Sequence, residues 1–80
     1  MQEKVIQVLM EYLGLEREFI SLDSKFNEHF GMDSIDFKEM LVKVETSTNT
    51  KIDPSKLGDI ETVYDLIEYI EEVHLQFDFD

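Results

Sequence analysis

The stretch Gly31-Met32-Asp33-Ser34-Ile35-Asp36 lies between a polar loop and an apolar-periodic run, which is where a helix begins. At such an end four backbone N–H groups lack partners within the helix, and the summed peptide dipoles leave partial positive charge. An anion such as a phosphate suits that position. Asp33 or Ser34 can cap the helix, and Asp36 follows Asp33 by three residues, a spacing like that of a capping box with Asp in place of Glu or Gln. Gly31 gives the preceding turn a permissive backbone. Ser34 is the residue expected to carry the function.

Downstream of this start, Phe37, Met40, Leu41 and Val44 form one stripe, with Ile35 at the entry and Asp36, Lys38, Glu39, Lys43 and Glu45 largely outside it. The helix is expected from about Ser34 to about Glu45, because Thr46-Ser47-Thr48-Asn49-Thr50 has poor helix propensity and side chains that compete for backbone hydrogen bonds. Upstream, Val5, Val8, Leu9, Tyr12 and Leu13 recur at helical spacing, and Gly14 fits the C-terminal cap. From Glu16 to Met32 no periodicity survives. The apolar Phe19, Leu22 and Phe26 are expected to pin this segment to the core as an ordered loop. Asp53-Pro54 suits a short helical turn anchored by Leu57 and Ile60. Thr62 with Asp65 opens a last helix along Val63, Leu66, Ile67, Ile70 and Val73, the most regular pattern in the chain. His74 falls in its last turn, where a cation complements the dipole. The tail Gln76-Phe77-Asp78-Phe79-Asp80 alternates like a strand without a partner strand, and is expected to fray or fold a Phe back. The fold class expected is all-α: a small four-helix bundle of three longer helices and one short one, with a long ordered loop between helices one and two, forming a single domain over residues 1–80.

Composition narrows the function. Eighty residues bury only roughly 60 to 65% of the unfolded chain's surface, enough for one small core. Seven Lys plus Arg against nineteen Asp plus Glu gives a net charge of -12, which argues against nucleic acid or an anionic membrane as partner and favours proteins with basic patches. With no cysteine, the chain has no disulfide, no zinc cluster and no thiol of its own. Any thiol must be imported. No run approaches the ~18 apolar residues of a membrane span, and the N-terminus lacks the marks of a secretion signal or transit peptide. A soluble cytoplasmic chain beginning at its natural start is therefore expected, and a monomer. Nor is an enzyme or a metal site expected. A Ser34-His29-Asp33 triad would need a base held against the serine and an oxyanion site opposite, and the sequence supplies neither. An EF-hand counted from Asp53 would put Ser55, Leu57 and Tyr64 at positions that require other residues.

The segment Phe26-Asn27-Glu28-His29-Phe30-Gly31-Met32-Asp33-Ser34-Ile35-Asp36 resembles the F-x-x-x-L-G-x-D-S-L-D signature of acyl carrier proteins. Ile60-Glu61-Thr62-Val63-Tyr64-Asp65-Leu66-Ile67-Glu68-Tyr69-Ile70 is similar to that family's closing I-x-T-V-x-D-L-x-x-Y-I. The resemblance covers the whole chain and implies that a phosphopantetheinyl transferase uses coenzyme A to esterify Ser34 with a 4'-phosphopantetheine arm, whose thiol carries acyl groups as thioesters. It further implies that Asp33 and Asp36 frame the cofactor site, with Asp33 orienting the serine or binding the transferase's metal. Met40, Leu41, Val44, Ile60 and Val63 would shelter the acyl chain, and Ile35, Lys38, Glu39, Lys43 and Glu45 would meet acyl-loading and acyl-processing enzymes through basic docking patches. A peptidyl carrier fits less well, since Gly31-Met32 stands where those have a Gly-Gly pair.

This chain departs from the family mainly in charge. Asp36, Glu39 and Glu45 share helix two with Lys38 and Lys43, so the segment is nearly neutral where the family is strongly acidic, and Lys38 stands where Val is common. From Leu57 to Val73 the chain instead carries Asp59, Glu61, Asp65, Glu68, Glu71 and Glu72 and no base. Dedicated partners in a polyketide, lipid-modification or other specialised pathway follow if helix two sets recognition. A blander reading is that the two lysines only form i,i+4 pairs on a solvated face. The alternative function is an unmodified acidic helical adaptor docking through Leu57 to Val73.

Overall fold

The computed structural model describes residues 2–77, with side chains described through residue 73. Three α-helices, α1 (Gln2–Leu13), α2 (Ser34–Thr48) and α3 (Val63–Phe77), are joined by a 3-10 turn η1 (Arg17–Phe19) and a short 3-10 helix η2 (Pro54–Asp59). With η2 as the short member, this is the expected all-α bundle with a long loop between its first two long helices. Among the described residues no strand forms, and the single β-bridge joins Lys25 to Thr62. No helix among them is long and apolar enough to cross a membrane.

The core is where the apolar stripes meet. Val5, Ile6, Val8 and Leu9 of α1 pack with Met40, Leu41 and Val44 of α2 and with Val63, Leu66, Ile67 and Ile70 of α3. Each of these side chains is buried, and a fully buried one of this size contributes roughly 1.5–3 kcal/mol against exposure. Leu57 of η2 packs against one edge of the cluster, and Ile60, which ends η2, is buried in it.

Helix ends follow local chemistry. Gly14, at φ 69°, ends α1 in the left-handed conformation, and its N–H and that of Leu15 both reach the Met10 carbonyl, at 2.9 and 3.2 Å. α2 departs from expectation by running on to Thr48 instead of stopping near Glu45. The hydroxyls that should compete with the helix turn back into it: Thr46 Oγ1 donates to the Val42 carbonyl at 3.1 Å and Thr48 Oγ1 to that of Val44 at 2.7 Å. Thr48 is also buried, so packing adds to local satisfaction. The stop comes at Asn49, at φ 53°, where the N–H groups of Asn49 and Thr50 converge on the Glu45 carbonyl. α3 begins with a reciprocal capping box. Thr62 Oγ1 accepts from the Asp65 N–H at 3.1 Å, while Asp65 Oδ2 accepts from the N–H groups of Thr62 and Glu61 at 3.1 Å each.

The long loop is ordered, but not by all the residues expected to pin it. Phe26 is buried, whereas Phe19 and Leu22 are 64% and 39% exposed. The η1 turn points Phe19 outward and brings the following Ile20 into the core, and Met32 makes the other unforeseen anchor. Backbone bonds complete the tie: Phe26 N–H to the Glu61 carbonyl, Val63 N–H to Ser24 and Tyr64 N–H to Leu22. The loop is thereby laced to the start of α3. The side chain of His74 and the residues Asp78, Phe79 and Asp80 lie outside what is described, and the backbone at Gln76 and Phe77 belongs to α3.

Candidate functional site

Ser34 is the first residue of α2, and the side chain just before it does the capping. Asp33 Oδ1 accepts from the Asp36 N–H at 2.8 Å, and the Asp33 carbonyl accepts from the Phe37 N–H at 2.9 Å. The spacing of Asp33 and Asp36 thus yields a one-way cap, not a reciprocal box. This leaves the Ser34 hydroxyl exposed and uncommitted, with no hydrogen bond to any described residue. The turn is held from below. Gly31, at φ 65° with open space around its α-carbon, reverses the chain, and Met32 N–H bonds the Phe26 carbonyl at 3.1 Å. The ring of Phe26 lies 5.2 Å from that of Phe37 and 6.2 Å from that of Phe30, tilted in both cases.

An open pocket of about 190 Å³ adjoins the serine, lined by Phe26, Asn27, Met32, Asp33, Ser34, Phe37, Ile60 and Glu61. Of the five residues expected to shelter a chain, only Ile60 lines this pocket. Met40, Leu41, Val44 and Val63 lie within the core cluster, Leu41 also lining a second groove between α2 and η2. Sequence reasoning missed Phe26, Met32 and Phe37 as pocket residues. The first and third were already marked as apolar anchors, but only the Gly31 turn brings them beneath Ser34.

The field around the serine is mixed. Positive helix-end character meets the carboxylates of Asp33, Asp36 and Glu39, and Tyr12 registers them: its hydroxyl donates to Glu39 Oε1 at 3.2 Å. Removal from water first, then that bond and the charges of Glu39, Asp36 and Asp33, raise the Tyr12 phenol above its ordinary value. A Ser-His-Asp arrangement does not form, because His29 Nδ1 accepts the Lys25 N–H at 2.7 Å and Asp33 is occupied as the cap. No cluster of His, Cys, Asp and Glu able to hold a metal occurs among the described residues.

The expected docking residues separate into roles. Ile35 is 68% exposed and Val42, unforeseen, is 58% exposed. Lys38 and Lys43 are exposed, and neither belongs to the ion pairs of the described residues, Arg17–Glu3 and Lys25–Glu28. Both lysines thus stand on a solvated face, without an i,i+4 ion pair among the described residues. For Lys38 the reason is in the sequence: Ser34, Ile35, Leu41 and Val42 stand three and four residues away, none acidic. For Lys43 the nearest acid in register is Glu39, which takes the Tyr12 hydroxyl. Glu45 is half-buried and structural, accepting the Ile52 N–H at 2.6 Å.

Residues 3–70 match the family described as phosphopantetheine attachment site. Curated relatives similar to the chain include the acyl carrier protein of Akkermansia muciniphila, 31% identical over 72 residues that make up 90% of each chain. That of Phytoplasma australiense is 33% identical over 88% of this chain and 92% of its own. That of Onion yellows phytoplasma is 34% identical over 85% and 90%.

Proposed function

The chain belongs to the acyl carrier protein family, and from that premise we propose that Ser34 is where its covalent 4'-phosphopantetheine is attached. A member of this family is a carrier and not an enzyme. The observation that carries the assignment is the exposed, uncommitted Ser34 hydroxyl at the first position of α2, beside a pocket that pairs the apolar Phe26, Met32, Phe37 and Ile60 with the polar Asn27, Asp33 and Glu61. Because Asp33 does the capping, the serine hydroxyl can be esterified without unmaking the helix start. Backbone N–H groups at the start of α2 that the Asp33 cap leaves free would hold the phosphodiester of the bound cofactor, where the helix dipole favours an anion. When bound, the cofactor supplies the thiol that a chain without cysteine lacks. Phe26, Met32, Phe37 and Ile60, which line the pocket beside Ser34, would flank the arm at its root, and Met40, Leu41, Val44 and Val63 of the core would shelter the acyl group. We assign it to the cytoplasm as a monomer serving fatty-acid, polyketide or related specialised synthesis, with a phosphopantetheinyl transferase and acyl-transferring enzymes as partners.

Co-expression with a broad-specificity phosphopantetheinyl transferase, followed by loading from an acyl donor, tests this reading. The expected product carries one adduct and, after loading, an acyl group released by neutral hydroxylamine, as a thioester is. An unmodified chain would favour the acidic helical adaptor, docking through the carboxylates from Asp59 to Glu72.

A further inference from the structure

The pocket beside Ser34 joins apolar walls, Met32, Phe37 and Ile60 among them, to the polar side chains of Asn27 and Glu61. We propose that it holds the root of the arm itself, the pantoyl unit that follows the phosphodiester, with Glu61 and Asn27 as its hydrogen-bonding partners. This assignment rests on Ser34 being the attachment point. It adds binding residues that the carrier signature does not specify, since Asn27 and Glu61 stand where F-x-x-x-L-G and I-x-T-V admit any residue.

Size, chemistry and position each point to this ligand. The pocket has a volume of about 190 Å³. A cavity of about 150 Å³ takes benzene, so this one has room for roughly eight heavy atoms. The pantoyl unit is of that size: a methylene, a quaternary carbon with its pair of methyl groups, a secondary alcohol and an amide carbonyl. Its apolar half suits Met32, Phe37 and Ile60, whereas its hydroxyl and carbonyl require an acceptor and a donor. Glu61 is the acceptor. Its backbone is fixed on both sides, the N–H by Asp65 Oδ2 at 3.1 Å and the carbonyl by the Phe26 N–H at 3.1 Å. Its exposed carboxylate takes no part in the hydrogen bonds or ion pairs of the described residues. Asn27 is the donor, because its Oδ1 accepts the Glu28 N–H at 2.8 Å and leaves the side-chain N–H groups unengaged. A terminal acyl group lies beyond the arm's second amide and meets this pocket only if the arm doubles back, but the pantoyl unit comes directly after the phosphate. Phe26 and Phe37, with rings 5.2 Å apart, also separate the pocket from the core, Phe26 being buried in the core cluster and Phe37 packed against it. Holding the root fixes the direction in which the rest of the arm leaves α2, and so lessens the freedom lost when a partner engages the thiol.

The test places an unlabelled arm on the isotope-labelled full chain and records isotope-filtered nuclear Overhauser spectra. Cross-peaks are expected from the pantoyl methyls to Phe37 and Ile60, and none from the cysteamine end of the arm. Glu61→Ala and Asn27→Ala should each lower the ratio of held to free arm about fivefold, as read from those cross-peaks, while Glu71→Ala, which removes an exposed carboxylate outside the pocket, leaves it unchanged. Circular dichroism confirms that each variant is folded. Three results would overturn the proposal: pantoyl methyls without cross-peaks to the pocket, equal losses in all three variants, or the terminal group of an acyl-loaded arm in place of the pantoyl methyls. Intact mass reads the modification of Ser34 separately. Should Ser34 stay unmodified, the carrier reading falls, and free pantetheine 4'-phosphate titrated against the labelled chain then decides the pocket: movement of the Asn27, Phe37 and Glu61 amide resonances upholds it, and no movement overturns it.

Discussion

At Asp33 and Ser34 adjacent residues divide two tasks that one serine often performs alone, capping the helix and offering a hydroxyl. If Asp33 is the cap, Asp33→Ala should cost about 1 kcal/mol of unfolding free energy and Asp33→Asn much less, as read from urea denaturation. Equal losses would mean that charge and not the accepted hydrogen bond matters. Asn49 makes a matching case at the other end of α2. Its left-handed backbone predicts that Asn49→Gly is tolerated within a few tenths of a kcal/mol, whereas a β-branched Asn49→Val destabilises by about 1 kcal/mol or more. The helix start at Asp33-Ser34 was legible because capping side chains stand just before an apolar stripe, but which of the two caps was left open until the Asp36 N–H was seen to donate to Asp33. The stop at Asn49 was not legible, because the run from Thr46 to Thr50 reads as a breaker until one sees where its hydroxyls donate.

On the scale of elements, the three long helices could be read from periodicity because each buries one stripe and leaves acids and amides on the other. The loop resisted such reading. Its order comes from backbone bonds to residues around Glu61 and Tyr64, contacts far apart in sequence that no local pattern encodes. Hence Phe19 and Leu22 looked equivalent to Phe26 although a three-residue 3-10 turn sends the first outward. Phe26→Ala is predicted to cost about 3 to 5 kcal/mol and to weaken hydrogen-exchange protection at Met32 and Val63, since it empties the space under the Ser34 turn. Phe19→Ala should stay within about 0.5 kcal/mol. If the two substitutions cost the same, the loop is pinned differently. The same limit hid the pocket residues beneath Ser34, which α2, the long loop and the Ile60-Glu61 link ahead of α3 each supply in part.

The whole molecule is governed by an excess of negative charge with few internal cations to offset it. At neutral pH added salt should raise the melting temperature by screening that repulsion, and an unchanged midpoint would contradict the account. Acid acts in the opposite direction through two tied carboxylates. Hydrogen bonds from the Ser55 N–H, and then its hydroxyl, hold Asp53 below its ordinary value, and the Arg17 guanidinium, at 2.7 and 2.9 Å, does the same for Glu3. A carboxylate with a depressed native value binds its proton more weakly folded than unfolded. Its stabilisation is therefore whole above the ordinary carboxylate range and is lost as pH falls through the native value, so the melting temperature should drop below about pH 4. A curve flat through that window would show that these ties contribute nothing. The charge is also unevenly shared: from Leu57 to Val73 the chain carries six acids and no base, whereas Lys38 and Lys51 edge the groove between α2 and η2.

That attachment point is the centre of the account. The most direct measurement incubates the purified chain with coenzyme A and a phosphopantetheinyl transferase, digests the product and fragments the peptides by mass spectrometry. The prediction is a single phosphopantetheine adduct on the peptide spanning Ser34, localised to that residue and absent from Ser34→Ala. An adduct elsewhere, or an unaltered chain under conditions that modify a known carrier, would contradict it.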